Sequence, residues 1–591
     1  MKKSRALGAG VLVAVLAIAP TACSSGSSSD SNTLNMLGVG DVDYMDPNIS
    51  YYTAGYEALR LWSRQLLTYP AIKGKTTTDV PDLATQVPTT ANGGISADGL
   101  TYKLTIRKGA KWDTSPARQV TAADVVRGVK RTCNPAQPFG GMPDFQTLIV
   151  GMSSYCTGFA KVNAKSASAI AAYQNKTALP GVSVDPSNPL TVVFKLTQPA
   201  AYFTAMLALP AFSPSPVEYD KYIPASAQLA QHTISDGPYK ITKYVPTKEI
   251  DFSRNSAWDK STDKVRGAYV DKVVINETGE QGSIQQQLQA NTSSADMEWD
   301  TFPPVTAVPG LIAKKDPNLD IGATFSSNPY IVFNTVSPNN AKALAKVAVR
   351  KAVSEAFNRA HMTQDLGGAV IAPPLTHILP KGISGTQSNT SPDPYPYDLT
   401  KAKADLAAAG VKNLKLKLLY RTASSASKSL FVTIQQDLKS AGITVTGVGA
   451  SNADFYTKYL QVPSAAKRGT WDLAIAGWGP DWYGDAAASF FQPLFYGNNG
   501  GDGSAFPPNG SDFGFYNSAK VNQLIVAAAK EQDPTKSAAL WAQADATVTN
   551  DAAIFPITTG NQPVYHASHL KNAIFIPAFQ QYDPANVKLS S

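Results

Sequence analysis

Cysteine and histidine are scarce in this chain of 591 residues, with three of the one and five of the other. A structural zinc site draws its four ligands from closely spaced Cys and His. No His or further Cys stands at ligand spacing near Cys133 or Cys156. His566 and His569 share an i, i+3 spacing that could serve a metal, although two surface histidines would look the same; His232, His361 and His377 have no partner motif. Charge is sparse at 16%, and the net +8 includes Lys2, Lys3 and Arg5 at the extreme N-terminus. The remaining Lys and Arg form no basic run, which argues against nucleic acid, since that needs clustered cations. Catalytic signatures are missing too: no G-x-S-x-G, H-E-x-x-H, C-x-x-C or G-x-x-x-x-G-K-[ST] occurs. A hydrolase whose triad is assembled from distant residues stays open on this ground alone.

The one long apolar run is Leu7–Ala19, too short to cross a bilayer comfortably. It follows the positive Lys2, Lys3 and Arg5, and Ala22-Cys23 and the Ser/Gly-rich stretch Ser24–Ser31 come after it. This order resembles a bacterial lipoprotein leader, with residues 1–22 removed, Cys23 lipidated and 23–32 a flexible tether. Pro20 departs from the usual Leu, and an ordinary signal peptide with an incidental thiol at Cys23 is the alternative. Outside the cell the other two cysteines, Cys133 and Cys156, are expected to pair, and the alternative is a metal site. A loop of that size would add about 3 kcal/mol of stability.

At 591 residues the chain is too long for one core, so several lobes are expected. Strand patterns recur along it and helices fall singly between them. Tyr102, Leu104 and Ile106 alternate with Thr101, Lys103, Thr105 and Arg107, as Leu190, Val192, Phe194 and Leu196 do with Thr191 and Lys195. Thr121 with Asp124 makes a capping-box-like helix start. Val349, Val353, Ala356 and Phe357 share one helix face, as do Val521, Leu524, Ile525 and Ala528. Asp398 can cap a helix with Ala402, Leu406 and Ala409 inward, ending at Gly410. Gly/Pro/Asn-rich stretches at Gly93-Gly94, Ser384–Pro396 and Gly497–Gly510 read as loops. The sum is a mixed α/β (α+β) protein without internal repeats.

One stretch carries more than a fold class. Pro81–Ala84, Asp98-Gly99, Tyr102, Leu104, Ile106, Arg107, Gly109, Trp112 and Thr121–Val125 occur in that order. Further along come Tyr44–Pro47, Ser235–Tyr239 with Arg254-Asn255 and Trp258, Phe333–Thr335 with Val347–Arg359, and Tyr397-Asp398 through Gly410. Together they resemble the peptide/nickel-type (family 5) extracytoplasmic solute-binding proteins of ABC importers, over roughly residues 35–590. Ser235-Asp236 stands where Gly-Thr is usual, and Asn358 where Asp is. The resemblance implies a periplasmic-binding-protein-like fold of the class II type, with two lobes closing on a cleft and a third, accessory domain. It divides the chain into lobe I (33–75, 227–325 and 555–591), the accessory domain (76–226) and lobe III (326–554).

The segment Trp471–Trp482 is the candidate ligand site. An apolar strand, Leu473–Ala476, runs into Gly477-Trp478-Gly479-Pro480-Asp481-Trp482. Glycines let a ligand backbone approach closely, and a carboxylate beside an indole suits an ammonium group. In peptide-binding members of the family a G-W-x-x-D motif supplies the acid that pairs with the ligand's amino end. By position that acid is Asp481, with Trp478 lining a side-chain pocket and Trp482 beside it. In the plainer reading Asp481 caps a turn and Trp478 fills core. Arg421, after the strand-like Leu414–Tyr420, resembles the arginine that dipeptide-binding relatives place against the ligand's carboxylate. Bidentate geometry suits a guanidinium to that role, and a solvated surface arginine is the alternative.

The expected function is therefore capture of di- or oligopeptides outside the cell and their delivery to an ABC permease and its ATPases. The protein is expected to be a monomer, held at the outer face of the membrane by lipid alone, without catalysis, cofactor or nucleic acid. A nickel or siderophore-like chelate, an oligosaccharide or another amine are the alternative ligands. A secreted hydrolase or a surface sensor is the alternative class.

Overall fold

The computed structural model describes residues 32–590 apart from 389, 423, 452, 453, 502 and 509. The leader, Cys23 and all but the last residue of the tether lie outside the described residues. Among the described residues no helix is long and apolar enough to cross a membrane.

Two five-stranded sheets organise the fold. The first runs in the order Met297–Glu298, Thr33–Leu37, Lys272–Asn276, Glu249–Arg254, Tyr239–Val245. Its core holds Leu34, Met36, Phe252, Val273 and Ile275, with Trp62 from the helix Thr53–Trp62. The second runs Thr444–Ala450, Lys415–Arg421, Leu473–Trp478, Ser327–Phe333, Ile554–Pro556. Behind it pack Val349, Val353, Ala356 and Phe357, the face expected from their spacing. The boundary expected at 555 cuts the strand Ile554–Pro556, so the chain leaves this sheet only after Pro556. Between the sheets the chain crosses on Leu319–Ala323 and returns on Asn561–Tyr565, which pair as an antiparallel ribbon.

A third, three-stranded sheet, Thr101–Thr105 with Asn188–Lys195 and Val182–Asp185, forms the accessory layer. Tyr102, Leu104 and Ile106 point inward as their alternation required. Asn188–Lys195 lies between the other two strands, and there Thr191 and Val193 are buried as well as Val192 and Phe194. The helix Ala122–Arg131 starts on a full capping box between Thr121 and Asp124, a feature whose loss costs about 1 kcal/mol. It approaches the chain so closely that a Cβ on Gly128 would lie 2.1 Å from the Ser213 carbonyl oxygen. Just beyond its end Cys133 is disulfide-bonded to Cys156 in the helix Met152–Phe159.

The segments that carry the resemblance mostly hold these units together. Asp46 of Tyr44–Pro47 pairs with Arg131 at 2.6 Å, both buried. Asp82 of Pro81–Ala84 takes Arg64 and Arg266, each at 2.8 Å, and Asp263 closes a network whose four side chains are all fully buried. Asp236 accepts the Arg64 backbone N–H at 2.9 Å. Asp398 caps Leu399–Ala408 through the Lys401 N–H, and Gly410 follows with φ +72.

Candidate functional site

The strand Leu473–Trp478 pairs in parallel with Lys415–Arg421, so Trp478 and Arg421 end at the same edge of the second sheet. Ligands of open α/β sheets bind in the crevice beyond such carboxyl ends. After Trp478 the chain turns through Gly479-Pro480, and Ser489 of the helix Ala487–Phe495 fixes the turn from below. Its carbonyl accepts the Trp478 indole N–H at 2.8 Å, and its hydroxyl accepts the Asp481 backbone N–H at 2.9 Å. The Asp481 carboxylate is thereby aimed across the cleft.

There it meets the first lobe. The Tyr51 hydroxyl donates to Asp481 Oδ1 at 2.6 Å, and Tyr56, whose buried hydroxyl has no hydrogen-bond partner among the described residues, lines the same cavity. The cavity is small, about 30 Å³, and open on one side, with Asp481, Gln65, Thr68, Leu209, Ile576 and Phe579 in its walls. Arg60 also lines it, but is committed to Asp583 at 2.6 Å. No cation pairs with Asp481 among the described residues. Burial pushes its carboxyl up to about 6, with the Tyr51 hydrogen bond pulling the other way. Burial raises Asp79, whose carboxylate packs against Gly484 of the same turn, to about 7. Poor solvation without a partner cation favours the neutral acid, and a positive group placed beside it would favour the carboxylate.

The expected site residues divide. Asp481 faces the cavity, and a Cβ on Gly479 would meet nothing within 4 Å, so the backbone there is open to approach. Gly477 has another reason to be glycine: a Cβ would lie 2.1 Å from Asn328 Oδ1 on the neighbouring strand. Trp478 is half-buried against the core and tethered by its indole N–H. Trp482 departs from expectation. It is 1% exposed and stacks on Tyr202 at 5.6 Å between ring centroids, so it seals the two units together and offers no ligand wall. Arg421 lies over Phe455 at 4.0 Å and Tyr456 at 5.1 Å, without a carboxylate partner among the described residues. Aromatic stacking holds a guanidinium in place while leaving its fork edge free.

Sequence reasoning missed the partners from the first lobe. Tyr69 accepts the Tyr483 N–H at 3.0 Å, and the Tyr483 hydroxyl donates to the Pro577 carbonyl at 2.9 Å. These contacts clamp the Asp481 turn from residues some 90 to 430 positions away. Nothing in the spacing of Tyr51, Tyr56 or Tyr69 signalled it. His569 bonds Asn291 and Asp296, His566 bonds the Ala567 carbonyl, and among the described residues no group of three or more His, Cys, Asp or Glu could hold a metal ion.

Known proteins with this geometry are numerous. The chain is 27% identical over 533 residues to the dipeptide-binding protein of Lactococcus lactis, covering 84% of each. It is 24% identical over 500 residues to the glutathione-binding protein GsiB of Salmonella choleraesuis, again covering 84% of each. Among solved structures, the clavulanic acid biosynthesis oligopeptide binding protein 2 superposes with a TM-score of 0.80 at 23% identity, over 95% of both chains. The Helicobacter pylori periplasmic binding protein DppA, solved with the peptide STSA, does so at 0.68 and 21%, over 95% of this chain and 98% of that one. The two-lobed periplasmic-binding fold is therefore the fold of this chain. Residues 79–502 match the family described as bacterial extracellular solute-binding proteins, family 5, and the protein belongs to that non-enzymatic, extracytoplasmic family.

Proposed function

We propose that this protein captures di- or oligopeptides by their free amino end at Asp481 and delivers them to an ABC permease. The observation that carries the reading is a carboxylate in a cavity between the lobes with no partner cation among the described residues. A peptide ammonium would supply the missing charge and lower the acid's pKa on binding. Relatives named for dipeptides, oligopeptides and glutathione point to the same ligand class. Arg421 at the same sheet edge is the candidate for the ligand carboxylate when the peptide is short. The lobe of 33–75, 227–325 and the final return would close on the lobe of 326–556 about the ribbon of Leu319–Ala323 and Asn561–Tyr565. A ligand that contacts both sides binds the closed state better and shifts the population towards it. The closed form then docks on the permease, with Cys23 holding the protein to the membrane by lipid.

The test is native mass spectrometry of protein purified from its own host, with fragmentation of whatever remains bound. Peptides with free amino termini are expected. A chelate, an oligosaccharide or an N-blocked ligand in their place overturns the reading. Cys23→Ser should abolish membrane retention, and retention with unchanged mass would rule out the anchor.

A further inference from the structure

Gln65 lines the Asp481 cavity and serves no evident purpose in the fold. It is 5% exposed, yet its side-chain carbonyl oxygen has no hydrogen-bond partner among the described residues. Its backbone is held at both polar groups: the N–H donates to Asp82 Oδ2 at 3.3 Å, and the carbonyl accepts from the Leu83 N–H at 3.0 Å. Asp82 belongs to the buried network of Arg64, Arg266 and Asp263, so the backbone of Gln65 is anchored to a fully buried polar network. The walls beside it, Leu209, Pro210, Ile576 and Phe579, are apolar. Thr68 Oγ1 accepts from Arg60 at 2.9 Å, and the rest of the Arg60 guanidinium is taken by Asp583 and the Tyr69 carbonyl.

We infer that Gln65 is the specificity residue for the side chain of the ligand residue that bears the ammonium, and that it selects a neutral carboxamide. The inference rests on Asp481 holding that ammonium. With the amino end at Asp481, the first side chain enters the space between the apolar walls and meets Gln65 at its polar end. An amide presents an acceptor and a donor side by side, and its best complement is another amide, which returns both. An aliphatic or thioether side chain of equal size would bury the Gln65 amide unpaired, a penalty that sites built for hydrogen bonding use to reject apolar analogues. A charged side chain would find no counter-ion, because Arg60 and Asp583 neutralise each other.

Calorimetry with Gln-Ala-Ala, Met-Ala-Ala and N-acetyl-Gln-Ala-Ala tests this on the wild type and on Gln65→Met, which leaves both backbone hydrogen bonds in place. Wild-type protein should bind the Gln-headed peptide at least about tenfold more tightly than the Met-headed one. Gln65→Met should level or reverse that preference, and acetylation should weaken binding in both proteins. Equal binding of the two heads by wild type, or a preference that survives in Gln65→Met, overturns the inference. If acetylation still weakens binding in that case, the role of Asp481 stands. A harmless acetyl group overturns the role of Asp481 and this placement of the first side chain with it, and binding of none of the three peptides overturns both.

Discussion

Two acidic regions of the molecule, far apart in sequence, treat charge in opposite ways. Asp82 and Asp263 are fully buried and each is matched by Arg64 and Arg266 inside the chain. Asp481 is buried less, and its nearest polar contact is the Tyr51 hydroxyl. The matched network keeps Asp263 well below the usual carboxylate range through Arg266 and Arg64, against the pull of burial. Burial lifts Asp481 to about 6, with no partner cation among the described residues to oppose it. The first arrangement is matched within the chain, and under the proposed function the second is matched by the ligand.

The comparison breaks hardest at Asp82. Asp82→Ala leaves two buried guanidinium groups short of a partner, and losing one member of such a network costs about 3–5 kcal/mol. Denaturant unfolding should show that loss. A variant as stable as wild type would mean that water reaches the network and the contrast with the cleft is false.

Next in size is the disulfide. Cys133→Ser should lower stability by about 3 kcal/mol, through the accessory layer, and leave peptide affinity little changed. An affinity loss as large as that of a cleft mutation would mean that the accessory layer shapes the site directly.

The smallest effect sharpens the contrast through pH. Asp481 has a folded pKa above that of the unfolded chain, so between about 4 and about 6 the folded state holds more protons. Ligand-free stability should therefore fall as pH rises through that window, and Asp79, raised to about 7, extends the fall upward. Peptide affinity should move the other way, rising as Asp481 ionises. Thermal unfolding with and without peptide checks both signs, and the ligand-free part of the fall should shrink in Asp481→Asn.

Local patterns in the chain were legible where one element's neighbours in sequence determine it. The alternation at Tyr102, Leu104 and Ile106, the Thr121–Asp124 box and the Asp398 cap all depend on residues a few positions apart. The family resemblance located Asp481 and the turn that carries it. What stayed hidden depends on residues far away in sequence. Trp482 looked like a binding aromatic because a buried indole and a ligand-facing one read alike until Tyr202, 280 positions earlier, stacks on it. Gly477 looked like an opening for ligand, whereas Asn328 on the next strand fills the space. Asp46 and Asp82 stood out as motif residues, and their partners Arg131, Arg64 and Arg266 show that the motif holds the fold. Gln65 carried no signal, since an isolated glutamine after a helix is ordinary until its surroundings are known.

The central claim is that the Asp481 carboxylate reads a peptide ammonium, and a double cycle by calorimetry tests it most directly. Wild type and Asp481→Asn are each titrated with a peptide the protein binds and with its N-acetylated form. Leaving one charge of a buried pair unanswered costs about 3–5 kcal/mol, and a tenfold change corresponds to about 1.4 kcal/mol. Either change alone should therefore weaken binding by about two to three orders of magnitude, and both together should cost far less than the sum, while the variant stays folded. Additive losses, or full affinity in Asp481→Asn, would contradict the account.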